Sequence, residues 1–358
     1  MSSSFGEHVR YSIFGQSHGE AIGVVIDGLP AGEPIDMDEL RAFLQRRAPG
    51  RTAYATQRKE ADEPHFLSGV INGYTCGAPV CAVIQNTNAH SSDYENLARV
   101  PRPGHADYAA MLQGGEHIDL RGGGHFSGRL TAPLCVAGGI AKQILARKGI
   151  MIGAHVASIA GLMDKPYDPV AVTTHELLHT SKAEFPALDA QAGARMRKAI
   201  EEAAKAGDSV GGVVECCAIG IEAGKLGRGM FGGIESRLAP VLFGIPAVKG
   251  VEFGLGFAAA TLRGSQNNDP FAVTDGHVVP ISNNHGGVLG GISSGLPLLF
   301  RVAFKPTPSI AKPQQSADLF DLKPVTLAIH GRHDPCIVPR AVPVVEAAAA
   351  CVLLDMIL

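Results

Sequence analysis

Two histidines stand in glycine-bounded turns, His18 within Phe14-Gly15-Gln16-Ser17-His18-Gly19-Glu20 and His105 within Gly104-His105-Ala106-Asp107. Imidazole is the side chain most readily poised for proton transfer near neutral pH, and flanking glycines let the backbone bring it close to a ligand. One such turn reads equally well as a surface loop that happens to hold a histidine. Two in one chain, near clustered arginines, point to chemistry. Arg41, Arg46, Arg47 and Arg51 fall within eleven positions at the end of a helix expected over 37–47, and Arg58 follows. A single arginine there complements the helix dipole, whereas four also suit an anion. Gly122-Gly123-Gly124 leads through His125-Phe126-Ser127-Gly128-Arg129 into a second helix, and a glycine-rich approach to a helix N-terminus favours phosphate. Neither the P-loop nor the dinucleotide fingerprint occurs in that segment. These residues together suit an anionic, phosphorylated ligand and a proton-transfer step.

Periodicity and punctuation locate the strands and helices that hold these residues. Val24-Val25-Ile26 is a buried strand, left through the turn Leu29-Pro30-Ala31-Gly32. Asp36 caps a helix from Met37 to Arg47, with Glu39 completing a capping-box-like pair and Leu40, Phe43 and Leu44 on one face. Val80 to Ile84 is a strand, residues 86–118 are loop-rich, and a helix runs from about Leu130 to Arg147. An amphipathic helix is expected from Asp189 to Ala206, and further strands at Gly211–Val214 and Val248–Phe253. The last helix is expected from about Arg340 to Leu358, with Pro343 tolerable only in its first turn. Gly254-Leu255-Gly256-Phe257-Ala258-Ala259 has G-x-G-x-x-A spacing, but Arg263 to Pro270 interrupts the long helix that a dinucleotide unit needs. Gly220-Ile221-Glu222-Ala223-Gly224 echoes Gly28-Leu29-Pro30-Ala31-Gly32, as two related halves would.

Composition excludes several classes. Thirty-one Lys and Arg against 34 Asp and Glu give a net charge of −3, which argues against a nucleic-acid partner while leaving room for a local cationic pocket. The chain of 358 residues is 46% hydrophobic and has the length of two domains or one large α/β unit. Its seven cysteines form no C-x-x-C pair, so reduced thiols of a soluble, cytoplasmic protein are expected, with no signal peptide and no membrane span. No metal is expected either: the histidines form no H-x-H pair, and His330, His333 and Asp334 make only an isolated H-x-x-H-D.

In sequence order these motifs resemble the chorismate synthase family over nearly the whole chain. Gly15-Gln16-Ser17-His18-Gly19 corresponds to its GESHG signature. Arg46-Arg47-Ala48-Pro49-Gly50 and Thr56-Gln57-Arg58-Lys59-Glu60-Ala61-Asp62 correspond to RRxPG and TxRxExD. Further matches are Arg102-Pro103-Gly104-His105-Ala106-Asp107, Asp208-Ser209-Val210-Gly211-Gly212, Pro246-Ala247-Val248-Lys249-Gly250, Lys305-Pro306-Thr307-Pro308-Ser309-Ile310 and Arg332-His333-Asp334-Pro335-Cys336. The resemblance implies a single α/β domain over 1–358, a β-α-β sandwich with two pseudo-related halves assembled as a homotetramer. It implies a lyase of the shikimate pathway that converts 5-enolpyruvylshikimate 3-phosphate to chorismate by 1,4-anti elimination, requiring reduced FMN without net redox change. By the same matching, His18 faces the leaving phosphate with Arg46, Arg47 and Arg51 around the substrate. His105 and Asp334 handle protons beside the flavin, and FMN is surrounded by His125, Phe126, Ser127, Ala247, Gly290, Lys305, Pro306, Thr307, Pro308, Ser309 and Arg332.

The match has departures. Where the family commonly reads GGGRSSARETA, this chain has Gly122 to Ala132 with His125 for an arginine and Leu130 for a glutamate. Ala53 replaces a frequent arginine, for which Arg51 can substitute, and Gln16 removes a charge near His18 that should make the imidazole harder to protonate. No segment is left for a flavin-reductase domain, so a separate reductase or an NADPH-dependent reductant is the expected source of reduced flavin. A flavin oxidoreductase and a non-catalytic anion-binding or metal-hydrolase protein are the rival readings; the first would consume reductant with product, the second would need no flavin.

Overall fold

The run at 22–26 alternates its faces as a strand must, burying Ile22, Val24 and Ile26. The helical run after Thr131 is apolar around its circumference and can be satisfied only inside the molecule. A computed structural model, describing residues 3–50, 62–86, 99–329 and 334–358, shows two assemblies of this kind joined back to back. The N-terminal half comprises β1 (Ser4–Phe5), β2 (Arg10–Gly15), β3 (Ala21–Asp27), α1 (Met37–Arg47), β4 (His65–Ser68), a hairpin of β5 (Val70–Ile71) and β6 (Tyr74–Thr75), β7 (Val80–Gln85), α2 (Asp107–Gly114) and α3 (Thr131–Arg147). The C-terminal half opens with β8 (Met151–Ile159), β9 (Leu162–Met163), α4 (Thr174–Lys182), α5 (Ala190–Lys205), β10 (Gly212–Ile219), α6 (Gly229–Gly232), α7 (Ile234–Gly244) and β11 (Val248–Phe253). It continues with α8 (Gly264–Asn267), the hairpins β12 (Phe271–Thr274) with β13 (His277–Pro280) and β14 (Val288–Leu289) with β15 (Ile292–Ser293), and β16 (Leu298–Phe304). The hairpin of β17 (Gln314–Asp318) and β18 (Lys323–Leu327) precedes the closing α9 (Val338–Ile357).

The two large sheets share one topology in four strands, β2-β3-β7-β4 in the first and β8-β10-β16-β11 in the second, antiparallel throughout. The added edge strand precedes its neighbour in the first (β1) and follows it in the second (β9). The echo at Gly28 and Gly220 is one end of a longer correspondence. Gly32 N donates to Thr75 O at 2.8 Å, and Gly224 N to Ser293 O at 2.8 Å. Thr75 Oγ1 donates to Pro30 O at 2.6 Å, and Ser293 Oγ to Glu222 O at 2.7 Å. Ile35 N reaches Gly73 O at 2.8 Å just before α1, and Ile234 N reaches Gly291 O at 2.9 Å at the start of α7. The small hairpins also correspond: Asn72-Gly73 turns one with φ of 51° and 80°, Gly290-Gly291 turns the other with φ of 60° and 83°. Both are the left-handed pairs that two-residue hairpin turns demand.

Between the sheets lie α3 and α9, which pack on β3 and β7 and on β8 and β10 respectively, and on each other. This is the α/β sandwich that the resemblance implied. Their approach is close enough that a Cβ placed on Gly138 would stand 2.2 Å from Ala347 Cβ and 2.3 Å from its Cα. A buried ion cluster ties α1 to the same seam: Arg46 Nη1 and Nη2 donate to Glu346 at 2.9 and 2.6 Å, and Lys142 completes the pairing. Burial would raise the Glu346 carboxyl, but the two cations outweigh it and bring it down to about 2.

The expected helix boundaries are met at α1, α3 and α5 within a residue or so. The last helix differs. It begins at Val338, two residues early, which puts Pro343 in the second turn; the carbonyl left without its N–H is that of Pro339, itself at the second helical position. The G-x-G-x-x-A run forms only a 3-10 segment from Gly256 to Thr261, with no long helix behind it.

On the outer face of the second sheet His155 is fully buried, its Nδ1 3.0 Å from Asp164 Oδ2 and its Nε2 2.9 Å from Glu215 Oε2. Burial alone would lower its pKa, but the two carboxylates reverse the sign and hold it above the ordinary value of about 6.5. A raised histidine contributes stability that is complete below that ordinary value and is lost as pH rises through the folded one. His155→Gln should therefore destabilise most in mildly acid solution and progressively less in alkaline solution, as read from urea midpoints across pH; a pH-independent difference would refute the charged imidazole. Gly138→Ala should cost about 1–3 kcal/mol through forced separation of α3 and α9, visible as a lowered thermal midpoint, and an unchanged midpoint would show that the helices can part freely.

Candidate active site

Corresponding loops of the two halves meet at one end of the sandwich. The β7–α3 loop, the β16–α9 loop, the β2–β3 turn and the short α7–β11 turn enclose a cavity of about 1060 Å³. That is at the upper end of the roughly 300–1,000 Å³ common for small-molecule pockets.

The β2–β3 turn is held by Asn86, whose Nδ2 donates to Gln16 O at 3.0 Å and Gly19 O at 2.9 Å. His18 lines the cavity from this turn. The Ser17 hydroxyl donates to Arg121 O at 3.0 Å, so its oxygen accepts from His18 Nδ1 at 3.1 Å and fixes that nitrogen as the protonated one. The Gln16 side chain is exposed and is not on the cavity wall, so water screens the site from the missing charge.

The glycine triplet is a passage between the histidines. Gly122, Gly123 and Gly124 have φ of 60°, 92° and 53°. A Cβ at Gly122 would lie 2.0 Å from His18 Cε1, and one at Gly123 3.3 Å from His105 Cε1 and Nε2. At Gly124 it would stand 1.9 Å from Asp119 O. Only glycine allows both imidazoles to close on one backbone segment.

His105 is braced by Asp107, with Oδ1 2.5 Å from Nδ1. Arg102 grips the same carboxylate through Nε at 2.7 Å and Nη2 at 2.8 Å, and reaches Ser309 Oγ through Nη1 at 3.2 Å. Burial pushes Asp107 up, yet the hydrogen bonds from Arg102 and His105 outweigh it and hold the carboxyl well below the usual range. His125 has a different part. Its ring lines the cavity, but Nδ1 donates to Gly15 O at 2.7 Å and Nε2 accepts from Ser3 Oγ at 2.5 Å, so both nitrogens fasten the N-terminal segment to β2. Phe126 and Ser127 follow on the wall, and Ser127 Oγ accepts from Arg129 N at 3.2 Å to start the turn into α3.

Arg47 and Arg129 reach the cavity through a shared buried carboxylate. Arg47 Nη1 donates to Asp62 Oδ2 at 2.6 Å, and Arg129 pairs with Oδ1. Burial alone would raise Asp62, and the two guanidiniums lower it instead. Arg47 also donates to Thr131 Oγ1 at 3.1 Å and Gly128 O at 3.1 Å, while Arg340 Nε donates to Arg47 O at 2.9 Å and its guanidinium pairs with Asp334. Asp334 lies on the cavity wall.

The opposite wall carries Ala247, Lys249, Lys305, Thr307, Pro308 and Ser309. Lys305 donates to Gly104 O, and its pKa is lowered by burial and then by the neighbouring charge of Lys249. Thr307 Oγ1 is buried without a protein partner. Ala247 holds φ of 76°, which costs a non-glycine residue roughly 1–2 kcal/mol and is the kind of strain that collects at ligand sites. Ser209 Oγ donates to Thr307 O at 2.7 Å and Val210 N to Pro335 O at 2.9 Å, so the Asp208–Gly212 motif braces this loop from outside.

Three expected residues are elsewhere. Arg46 is committed to Glu346 on the far side of α1, Gly290 is the hairpin turn described above, and Pro306 is exposed; none is on the cavity wall. Arg51, Arg58, His330, Arg332 and His333 lie outside the described residues. Sequence reading did not assign Asn86, Asp62, Lys249 or Arg340, whose roles depend on pairings across long stretches of chain. Contrary to the expectation that no H-E-x-x-H motif occurs, His175-Glu176-Leu177-Leu178-His179 on α4 has that spacing. There Glu176 completes a capping box with Thr173, the histidine rings are exposed with centroids 6.4 Å apart, and no group of three metal-binding side chains occurs among the described residues.

The family model for chorismate synthase matches residues 9–358. A chorismate synthase of Thermococcus kodakarensis is 49% identical over 353 residues, covering 99% of this chain and 97% of the relative, and one of Dehalococcoides mccartyi is 46% identical over 358 residues, covering 100% and 97%. A crystal structure of chorismate synthase superposes with a TM-score of 0.74 at 29% identity, covering 98% of this chain and 92% of that one. The chain belongs to the chorismate synthase family.

Proposed function

We propose that this lyase converts 5-enolpyruvylshikimate 3-phosphate to chorismate and phosphate by 1,4-anti elimination, with reduced FMN bound beside the substrate. The observation that carries the reading is the single cavity in which two histidines close on one glycine passage between cationic walls. Loss of an allylic phosphate needs positive charge and a proton donor at the departing oxygens. His18 supplies the donor and Arg47 the charge, with Arg129 and Arg340 in the same network.

The residues present fit a flavin mononucleotide. Lys249 and Lys305 suit its phosphate, the unpartnered Thr307 hydroxyl is ready for a ligand oxygen, and the strained Ala247 and the glycine passage let backbone approach a planar ring. Reduced FMN, when bound, supplies an electron-rich ring able to stabilise an electron-poor allylic system. His105 faces that side of the cavity, and Asp334, held by Arg340, handles the proton lost from the substrate ring.

A homotetramer in the cytoplasm, supplied with reduced flavin by a separate reductase, completes the reading. Met230, Phe231, Phe257, Phe271 and Val273 stand exposed on the second half, as subunit contacts would require, and no helix among the described residues is long and apolar enough to cross a membrane.

Anaerobic assays should show phosphate release from 5-enolpyruvylshikimate 3-phosphate only with reduced FMN, and with many turnovers per flavin; release without flavin, or one reductant consumed per product, would sink the proposal. His18→Ala and His105→Ala should each lower turnover by about 10²–10⁴-fold with flavin affinity little changed. Gly122→Ala should be nearly as damaging, because its Cβ occupies the place of the His18 ring; a fully active variant would show that His18 is not held there.

A further inference from the structure

Asp107 opens α2, where an acidic residue ordinarily complements the helix dipole. Its surroundings indicate more. The side chain is 1% exposed, and both oxygens turn back toward the preceding loop: Oδ2 accepts from Arg102 N at 3.1 Å and Nε at 2.7 Å, and Oδ1 faces Arg102 Nη2 at 2.8 Å and His105 Nδ1 at 2.5 Å.

We propose that Asp107 is the positioning residue of His105, fixing the proton on Nδ1 so that all proton exchange with the cavity passes through Nε2. Arg102 Nη2 also lies 3.1 Å from Nδ1, and a guanidinium there would favour the opposite tautomer by donating to a bare nitrogen. The distances decide between them, since the contact to the carboxylate is shorter by 0.6 Å (3.1 minus 2.5). An ionised carboxylate accepts only, so Nδ1 must carry the hydrogen. Arg102 keeps the carboxylate ionised through its paired hydrogen bonds. Nε2 is left at the glycine passage, 3.3 Å from where a Cβ at Gly123 would stand.

The inference rests on the reading that His105 moves a proton, and the two can fail separately. Long-range proton–nitrogen correlation spectra of the histidine-labelled, flavin-free enzyme, with His105 assigned through His105→Gln, should show Nδ1 protonated and Nε2 bare in the neutral ring. The opposite tautomer would overturn the proposal. In the Ser-His-Asp template, Asp→Asn keeps the geometry yet permits the wrong tautomer. Asp107→Asn should likewise shift the His105 resonances toward Nε2–H and lower turnover by about 10- to 100-fold, a share of what a positioned acid or base provides, with flavin affinity and KM within a few-fold. An Asp107→Asn enzyme with wild-type turnover would overturn the positioning role. Full activity in His105→Ala, with the expected tautomer in the parent, would instead sink the catalytic reading of His105.

Discussion

A buried carboxylate between two arginines governs the geometry of this site. Asp62 belongs to the segment after α1, Arg47 ends α1, and Arg129 begins the turn into α3. None can be buried alone, since an unpaired charge in such a place costs several kcal/mol. Pairing therefore determines where three separate pieces of chain must stop. Arg129 extends the constraint to Asn86 through Nε at 3.2 Å, and Asn86 shapes the turn that carries His18. Arg340 adds the start of α9 through the Arg47 carbonyl, and with it Asp334. His18 and Asp334 are thus located relative to one another by a charge network rather than by apolar packing.

The same network explains how a chain of net charge −3 presents a cationic interior. Asp62 and Asp107, which neutralise Arg47, Arg129 and Arg102, sit behind them off the cavity wall, so the guanidiniums are paired at one edge while the cavity keeps a positive wall. Lys249 and Lys305 share the other wall, and the Lys305 pKa is lowered by burial and by the charge of Lys249. Binding of a phosphate there relieves that repulsion, which favours the loaded enzyme over the empty one.

Much of the scaffold was legible because its signals are local. Asp36 caps α1 as its spacing indicates, its side chain accepting from Asp38 N and Glu39 N. The apolar circumference of α3 announces a central helix, and the Gly122-Gly123-Gly124 triplet marks real close approaches to His18 and His105. What stayed hidden is non-local. Arg46 and Arg47 are adjacent in sequence, yet one turns to Glu346 and the other to Asp62, because a helix sends neighbouring side chains about 100° apart and each found a different buried acid. His125 stands where the family has arginine and looks like a ligand contact, but both its nitrogens are used to fasten strand and terminus. Gly290 shows the converse: its glycine is required by a hairpin turn whose partner at Asn72 belongs to the other half, information that no single motif contains.

The common topology of the halves has a consequence for how such a site can diversify. In a dimer of identical chains, a cavity on the symmetry axis must use every residue twice, and a histidine useful on one side is imposed on the other. Here the two copies are covalently one chain. The β7–α3 loop carries His105 and the glycine passage, while its counterpart between β16 and α9 carries Lys305, Thr307 and Asp334. The short β2–β3 turn holds His18, whereas the matching β8–β10 connection has grown to hold α4 and α5 and contributes only the brace at Ser209 and Val210. Within one chain each loop can change without its counterpart, so a near-symmetric frame can carry an asymmetric cavity.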